Sequence, residues 1–278
     1  DQWVGMVIGN QSTDFCAGAT LGVVMMGVAS GKADQVSQFT KGMQQLFMKF
    51  RTSPKPVVAA PYGRVLGGGA EISLASARRV AAAETYIGLV ELGVGIVPGW
   101  GGCKEFVRRQ ISPHMAAPDA DALPYLQKAF ETIALAKVAE SAEQGRALGF
   151  FDRDDQIVMN KERLIGAAKQ AVLDLVAEDY TPPPPEGEPV YALGRRGQAA
   201  IAAAVHGMRA GGYISAYDEQ LAKALGTVLC GGDLTSPQWV TEQYLLDLEF
   251  EENAKLVQNA KTQERMMAIL QGGKPLRN

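Results

Sequence analysis

The sequence has few of the side chains that bind metals or form disulfides. Its 278 residues include three cysteines, Cys16, Cys103 and Cys230, which lie far apart without a CxxC pair, and two histidines, His114 and His206. Zinc sites use cysteine and histidine ligands at close spacings, so we expect no metal site. An odd number of isolated cysteines without a signal peptide is typical of a reducing cytoplasm, and we expect these thiols to be small core side chains.

The sequence also lacks an excess of basic residues and a long apolar run. The 27 lysines and arginines against 30 aspartates and glutamates give a net charge of −3, which argues against a nucleic-acid partner. The longest apolar stretch, residues 15–29, contains three glycines and is shorter than the roughly 20 residues of a membrane span. The hydrophobic share of 47% is spread along the chain, so we expect a soluble, cytoplasmic, globular protein.

The first hundred residues alternate between strand and helix patterns. The clearest helix is at residues 34–51, where apolar side chains recur at steps of three and four, and Pro54 and Pro56 follow its end. Short apolar runs predict buried strands of the parallel kind. The predicted strands are residues 3–9, 57–60, 79–82 and 86–88, and a further helix is predicted at residues 70–79. This alternation predicts an α/β fold.

Helix patterns predominate in the rest of the chain. Ser141 with Gln144 predicts a capping box for a helix that ends at Gly149. Further helices are predicted at residues 103–109, 152–178, 199–209, 216–229 and 239–270, the last capped by Ser236 with Pro237 in its first turn. Four successive prolines make residues 181–189 the clearest linker. We therefore predict one domain at residues 1–180 and an all-α extension at residues 181–278.

Two glycine-rich segments fail as phosphate-binding loops. Residues 27–32 (GVASGK) have the wrong spacing for a P-loop and are followed by alanine instead of a hydroxyl residue. Residues 93–98 (GVGIVP) have proline where the dinucleotide fingerprint requires its third glycine. Neither segment predicts a nucleotide site.

Two backbone turns and two carboxylates form a more specific pattern. The segments are residues 15–19 (FCAGA), residues 67–71 (GGGAE) and residues 88–91 (GLVE). Three glycines that open a helix allow backbone N–H groups to approach an acyl group, and the positive end of the helix favours negative charge there. The pattern predicts an oxyanion hole with the carboxylates of Glu71 and Glu91 nearby.

Residues 1–180 resemble the crotonase, or enoyl-CoA hydratase, superfamily, and residues 57–102 carry most of the resemblance. The resemblance implies a ββα superhelix core, with Ala19 and Gly68 donating their N–H groups to the thioester oxygen. It implies that Glu71 orients and activates water while Glu91 protonates the α-carbon. The other positions that it places at the substrate are Ala17, Gly18, Gly67, Gly69, Pro98 and Gly99. The implied reaction is the hydration of trans-2-enoyl-CoA to 3-hydroxyacyl-CoA in fatty-acid β-oxidation.

The segment from 181 to 278, with TEQYLLDL at residues 241–248 and GKPLRN at its end, resembles the C-terminal region of bacterial proteins that fuse a 3-hydroxyacyl-CoA dehydrogenase to a hydratase. In that type the dehydrogenase comes first, so we expect this chain to be the hydratase portion of such a fusion, or an oligomer. The substrate carries coenzyme A, and we expect no cofactor in this chain; NAD would belong to the dehydrogenase domain.

The sequence departs from the family pattern in two places. Thr20 stands where crotonases commonly carry an aspartate after the oxyanion residue. We also expect the earliest strands of the fold, and the loop that contacts the adenine of CoA, to lie upstream of Asp1. Their loss would leave an unpaired sheet edge, so we expect weak stability or aggregation of this portion alone.

Lys55, Arg64 and Lys104 are possible contacts for the CoA phosphates.

Two other functions stay open at this point. A double-bond isomerase uses the same oxyanion hole with a single base, and the presence of both Glu71 and Glu91 favours the hydratase. A non-catalytic assembly module, whose helical extension docks a dehydrogenase or a sister subunit, would not need an intact site. Both alternatives differ from the hydratase in their activity toward a trans-2-enoyl-CoA.

Overall fold

Strands and helices alternate in the first half of the chain, and helices predominate in the second half. The computed structural model describes residues 2–117 and 119–278. The strands in these residues are β1 (Met6–Ile8), β2 (Val57–Ala59), β3 (Gly63–Leu66), β4 (Arg78–Ala82), β5 (Thr85–Gly88), β6 (Gln156–Val158), β7 (Val190–Ala192) and β8 (Gln238–Val240). The α-helices there are α1 (Leu21–Ala29), α2 (Ala33–Arg51), α3 (Gly68–Leu74), α4 (Gly102–Phe106), α5 (Leu123–Ala134), α6 (Ala142–Leu148), α7 (Leu164–Ala177), α8 (Gly194–Ala210), α9 (Ala216–Cys230), α10 (Glu242–Val257) and α11 (Ala260–Leu270).

The chain divides into two compact units, each built from three segments. The first unit comprises Asp1–Ala19, Gln45–Leu89 and Lys137–Glu188, and the second comprises Thr20–Gln44, Val90–Ala136 and Pro189–Asn278. The predicted boundary between residues 180 and 181 rests on the proline-rich linker at residues 181–189, and it stays a prediction.

The first unit contains two parallel sheets that take successive strands in turn. The larger sheet has the order β1-β2-β4-β6, and the smaller sheet pairs β3 with β5. Thus β2 and β4 enter the larger sheet, while the strands that directly follow them, β3 and β5, enter the smaller one. Helix α3 follows β3 and completes one ββα turn. This is the repeated pattern that the α/β prediction with a ββα superhelix core requires.

Strand β2 lies in the centre of the core because its sequence is apolar on both faces. Val57 is 3% exposed and Val58 is fully buried, as expected for a strand covered on both sides. The predicted strand at residues 3–9 is shorter in the structure, and it is not fully buried. The physical reason is its position at the edge of the sheet, where β1 pairs with β2 on one side.

Two predicted helices of the first unit are wrong in part. Residues 152–178 contain β6 and only then α7, because Gln156 pairs with Val80 in the larger sheet. The buried Asp155 carboxylate accepts a hydrogen bond from the Arg79 backbone N–H at 2.9 Å and from Arg79 Nε at 2.8 Å. The helix predicted at residues 70–79 is α3, which ends at Leu74 because the chain from residue 78 belongs to β4.

The capping box predicted for α6 is confirmed in its serine half only, and the predicted glycine end is confirmed. The Ser141 side chain accepts a hydrogen bond from the Gln144 backbone N–H at 3.1 Å. The Gln144 side chain accepts in return from the backbone N–H of Glu140, one residue before the position that a capping box requires. Gly149 ends the helix with φ of 95°, a left-handed conformation that favours glycine.

The second unit is mostly helical, but its C-terminal part is not all-α as predicted. Strand β7 pairs antiparallel with β8, so residues 239–240 are extended and cannot begin the predicted helix at 239–270. Helix α10 starts after Thr241, whose side chain accepts from the Tyr244 N–H at 3.1 Å, and Ser236 is not its cap. A second helix, α11, begins after Asn259, which caps it through the Lys261 N–H.

Candidate active site

The segment before Gly18 runs alongside β3 as an additional short strand. The Phe15 N–H donates to the Tyr62 carbonyl at 3.0 Å, and the Cys16 N–H donates to the Arg64 carbonyl at 3.1 Å. The Leu66 N–H returns a hydrogen bond to the Cys16 carbonyl at 2.9 Å. This parallel pairing aligns Cys16 with the end of β3. The turn that follows Cys16 and the turn that follows β3 therefore begin side by side.

Two glycines allow these turns to approach closely. Gly18 has φ of 98°, and a Cβ atom there would lie 3.2 Å from the Leu66 carbonyl oxygen. A Cβ atom on Gly69 would lie 2.6 Å from the Cys16 carbonyl oxygen, closer than real atoms come. Gly18 therefore lies beside Leu66 and Gly67, and Cys16 lies against Gly69 at a distance that only a missing side chain permits.

The glycine triplet turns the chain from β3 into α3. Gly67 has φ of 53°, and its N–H donates to the Gly88 carbonyl at 2.9 Å. The Gly67 carbonyl accepts the first hydrogen bond of the helix, from the Glu71 N–H at 3.0 Å. Because Gly68 is the first residue of α3, its N–H precedes the ladder of i→i−4 bonds. An N–H in that position can donate to a ligand.

Glu71 lies one turn into α3, and it is buried. The residue is 3% exposed, and Ala70 and Leu74 on the same helix are fully buried. The first unit thus brings together seven of the predicted site residues: Ala17, Gly18, Ala19, Gly67, Gly68, Gly69 and Glu71. Ala17 and Ala19 are exposed on their turn, whereas the triplet is buried.

An ion pair that the sequence patterns did not indicate holds the Cys16 segment to β3. The Asp14 carboxylate accepts from the Arg64 backbone N–H at 2.8 Å and from its guanidinium at 2.7 Å. These hydrogen bonds from Arg64 lower the pKa of Asp14 to about 2. The guanidinium of Arg64 therefore already has an anionic partner, Asp14, which argues against Arg64 as a contact for the CoA phosphates.

Glu91, Pro98 and Gly99 belong to the second unit. Glu91 is 8% exposed and begins a 3₁₀ turn, Glu91–Val94, that ends at Gly95 with φ of 88°. The Ile96 N–H donates to the Glu91 carbonyl at 3.2 Å and closes the turn. Pro98 and Gly99 are buried in the loop that follows.

Buried polar side chains from α2 and α10 hold this loop by its backbone. Gln44 donates to the Gly99 carbonyl at 2.9 Å, and Asn253 donates to the Val97 carbonyl at 2.7 Å. The Glu249 carboxylate accepts from the Gly101 N–H at 2.8 Å and from the Lys104 N–H at 2.6 Å. The sequence patterns did not indicate these residues. A signal was present, because Glu249 and Asn253 are polar residues at i, i+4 on a helix face shared with leucines.

Lys104 cannot serve as a contact for CoA phosphates. Its side chain is 3% exposed, and its ammonium group pairs with Glu242 at 2.8 Å and also with Glu105. Both carboxylates are buried, and a buried ion needs such partners to offset the loss of water. Lys104 is therefore excluded from the three possible contacts, since its charge is neutralised inside the second unit.

The cysteines lie apart from these groups, with one exception. Cys103 and Cys230 are buried, and burial raises the pKa of the Cys230 thiol to about 12. Cys16 is half-buried beside Gly69 in the candidate site. Within residues 2–117 and 119–278, none of the helices is both long enough and apolar enough to cross a membrane.

Comparison with known proteins identifies a family over the first part of the chain. Residues 1–119 match the model of the family described as enoyl-CoA hydratase/isomerase. A "Probable 3-hydroxyacyl-CoA dehydrogenase" of Bacillus subtilis (strain 168) is 42% identical over 278 residues, which cover 99% of this chain and 34% of that protein. The chain therefore spans about a third of the length of this relative.

Two further similarities extend the comparison. A "Peroxisomal fatty acid beta-oxidation multifunctional protein" of Arabidopsis thaliana is 41% identical over 100 residues, covering 36% of this chain and 12% of that protein. The crystal structure of an enoyl-CoA hydratase from Rhodobacter sphaeroides 2.4.1 superimposes with a TM-score of 0.61 at 17% identity, covering 98% of this chain and 78% of that chain. At that identity the superposition establishes the fold and nothing further.

Proposed function

Because residues 1–119 match the enoyl-CoA hydratase/isomerase family, we propose that the chain is a member of this family, the crotonase superfamily, and that it hydrates trans-2-enoyl-CoA to 3-hydroxyacyl-CoA in fatty-acid β-oxidation. The observation that carries the proposal is the contact between the Cys16–Gly18 segment and the glycine triplet, with the buried Glu71 on the same helix as the triplet. This arrangement supports an oxyanion hole because the two turns whose Ala19 and Gly68 N–H groups would donate to the thioester oxygen begin beside each other.

The proposed reaction begins with the thioester carbonyl. Its oxygen would accept hydrogen bonds from the N–H groups of Ala19 and Gly68 and would gain negative charge as water adds to the β-carbon. Preorganised N–H donors of this kind contribute about 3 to 4 kcal/mol each to the stabilisation of an oxyanion. They also withdraw electrons from the conjugated double bond, so the β-carbon becomes electrophilic.

Glu71 and Glu91 would handle the protons. Glu71 accepts a proton from the water whose oxygen bonds to the β-carbon, and Glu91 delivers a proton to the α-carbon of the enolate. The hydroxyl and the hydrogen that are added to the double bond together equal one water molecule. Ala17, Gly18, Gly67, Gly69, Pro98 and Gly99 would line the path of the substrate.

The test is the hydration of crotonyl-CoA by the full chain, followed by the ultraviolet absorbance of the conjugated thioester. We expect Glu71→Gln and Glu91→Gln each to lower kcat about 100-fold or more, because each removes one proton-transfer group. Glu178→Gln is the matched control, since Glu178 is exposed at the end of α7 and should leave kcat unchanged.

The products separate the proposal from its alternatives. Conversion of a 3-enoyl-CoA to a 2-enoyl-CoA without addition of water would identify an isomerase. The absence of both reactions in a folded protein would identify an assembly module. If both glutamine variants hydrate as fast as the wild type, the assignment of Glu71 and Glu91 is refuted.

We further propose that the 3-hydroxyacyl-CoA product passes to a dehydrogenase in the same assembly. The name of the Bacillus subtilis relative, which is about three times as long as this chain, supports a fused dehydrogenase. In this proposal NAD binds to the dehydrogenase portion, and the hydratase portion uses no cofactor of its own.

A further inference from the structure

Helix α11 contacts the backbone of the turn that carries Glu91. The Thr262 hydroxyl donates to the Gly95 carbonyl at 2.5 Å, and Arg265 donates to the Leu92 carbonyl at 3.4 Å. Thr262 and Arg265 are fully buried and lie at i, i+3, so they project from the same face of the helix. Two main-chain carbonyls of residues 92–95 are therefore held by side chains that are distant in sequence.

The Thr262 hydroxyl is itself fixed by a second partner. The Tyr217 hydroxyl lies 2.6 Å from Thr262 Oγ1, and Tyr217 is 2% exposed. Because the single hydroxyl proton of Thr262 goes to Gly95, the Tyr217 hydroxyl is the donor to Thr262. The chain of hydrogen bonds from Tyr217 through Thr262 to Gly95 uses both the acceptor and the donor capacity of the threonine hydroxyl.

The backbone conformation at Gly95 permits its close contact with Thr262. Its φ of 88° favours glycine, and a Cβ atom there would lie 2.8 Å from Thr262 Oγ1 and 2.9 Å from Thr262 Cα. The close approach brings the main chain directly against α11. Arg265 is held in turn by Asp218 at 2.9 Å and lies over the Tyr217 ring, with its Cζ atom 5.1 Å from the ring centroid.

We propose that Thr262 is a positioning residue for Glu91, an inference that rests on the proposed function of Glu91. The turn Glu91–Val94 is short, and its end is fixed by the bond between Thr262 and Gly95. A proton donor must stay within a fraction of an ångström of its target, and a misplacement of 1 Å can lower a rate about 100-fold. Loss of the Thr262 hydroxyl would let the turn move, and Glu91 would move with it.

The experiment compares three threonine variants of the full chain in the hydration of crotonyl-CoA. Thr262→Val keeps the shape of the side chain and removes the hydroxyl, and we expect kcat to fall about 10- to 100-fold while KM changes less than about twofold. Thr262→Ser keeps the hydroxyl and should restore kcat to near the wild-type value. Thr132→Val is the matched control, because Thr132 is equally buried and its hydroxyl bonds only to the Lys128 carbonyl of its own helix, at 2.8 Å.

A double variant tests whether Thr262 acts through Glu91. In the Glu91→Gln background we expect Thr262→Val to lower kcat by less than about twofold further. The glutamine cannot donate the proton, so its displacement does not reduce kcat again. The inference is overturned if Thr262→Val lowers kcat equally in both backgrounds, or if it lowers only the unfolding temperature. If Glu91→Gln by itself leaves kcat unchanged, the proposed function fails first.

A milder variant covers the case in which Thr262→Val does not fold. Tyr217→Phe removes the donor that orients the Thr262 hydroxyl and retains the aromatic ring above which Arg265 lies. We expect a fall in kcat of about threefold or more at unchanged KM. Wild-type kcat in a folded Tyr217→Phe protein would overturn the inference.

Discussion

At the scale of single residues, an added methyl group at Gly69 would clash with the backbone of the candidate site. A Cβ atom there would lie 2.6 Å from the carbonyl oxygen of Cys16 and 2.7 Å from its Cβ atom. We expect Gly69→Ala to push the Cys16 segment away from α3, with a loss of stability of about 1 to 3 kcal/mol. The displacement of the Ala19 N–H should lower hydration kcat about 10-fold or more.

Gly166→Ala is the control for this substitution. Gly166 also lies in a helix, α7, and a Cβ atom there meets nothing within 4 Å. Alanine should raise the free energy of unfolding by up to about 1 kcal/mol, because it favours the helix more than glycine does. Urea unfolding and the crotonyl-CoA assay distinguish the two variants. Equal behaviour of both would refute the steric role of Gly69.

At the scale of elements, the start of α6 depends on one side chain. The Ser141 hydroxyl accepts from the Gln144 N–H, which has no other acceptor within the helix. We expect Ser141→Ala to lower the free energy of unfolding by about 1 kcal/mol, and Ser141→Asn to preserve it. Urea midpoints of the three proteins give the comparison, and an unchanged midpoint for Ser141→Ala would contradict the role of the cap.

Elements with local signals could be predicted, and elements that depend on distant partners could not. Helix α2 follows from its apolar spacing, and α6 follows from its capping residues. Strand β6 was predicted as helix because its three residues become a strand only by pairing with β4. Strand β8 was likewise included in a helix, since its partner β7 lies almost 50 residues earlier. Hydrogen bonds between distant segments leave no periodic signal in either one.

At the scale of the whole molecule, stability should depend on pH through Asp218. Burial by itself raises its pKa, but hydrogen bonds from Ser215 and Arg265 and the charges of Arg265 and Arg277 lower the pKa below its ordinary value. A carboxylate with a lowered pKa in the folded state stabilises above the unfolded pKa of about 4 and loses this contribution as the pH falls through the folded pKa.

The variant Asp218→Asn tests this dependence. At pH 7 we expect it to lower the free energy of unfolding by about 3 kcal/mol, because the fully buried Arg265 loses its charged partner. The difference from the wild type should shrink as the pH falls from about 4 through the lowered pKa of folded Asp218, below which Asp218 of the wild type is also neutral. Urea unfolding at several pH values measures it, and a difference that is independent of pH would exclude this ion pair as the cause.

The sequence by itself determined the α/β character of this protein, its glycine turns and the residues of its candidate site, because these depend on local periodicity, on backbone freedom at glycine and on a family pattern within residues 15–102. Only the tertiary structure decided that α10 and α11 hold the loop that carries Glu91, Pro98 and Gly99. Glu249, Asn253 and Thr262 bind backbone groups about 150 residues away. Such contacts arise only when the packed core brings distant helices together, and a main-chain carbonyl has no side-chain identity that a sequence could reveal.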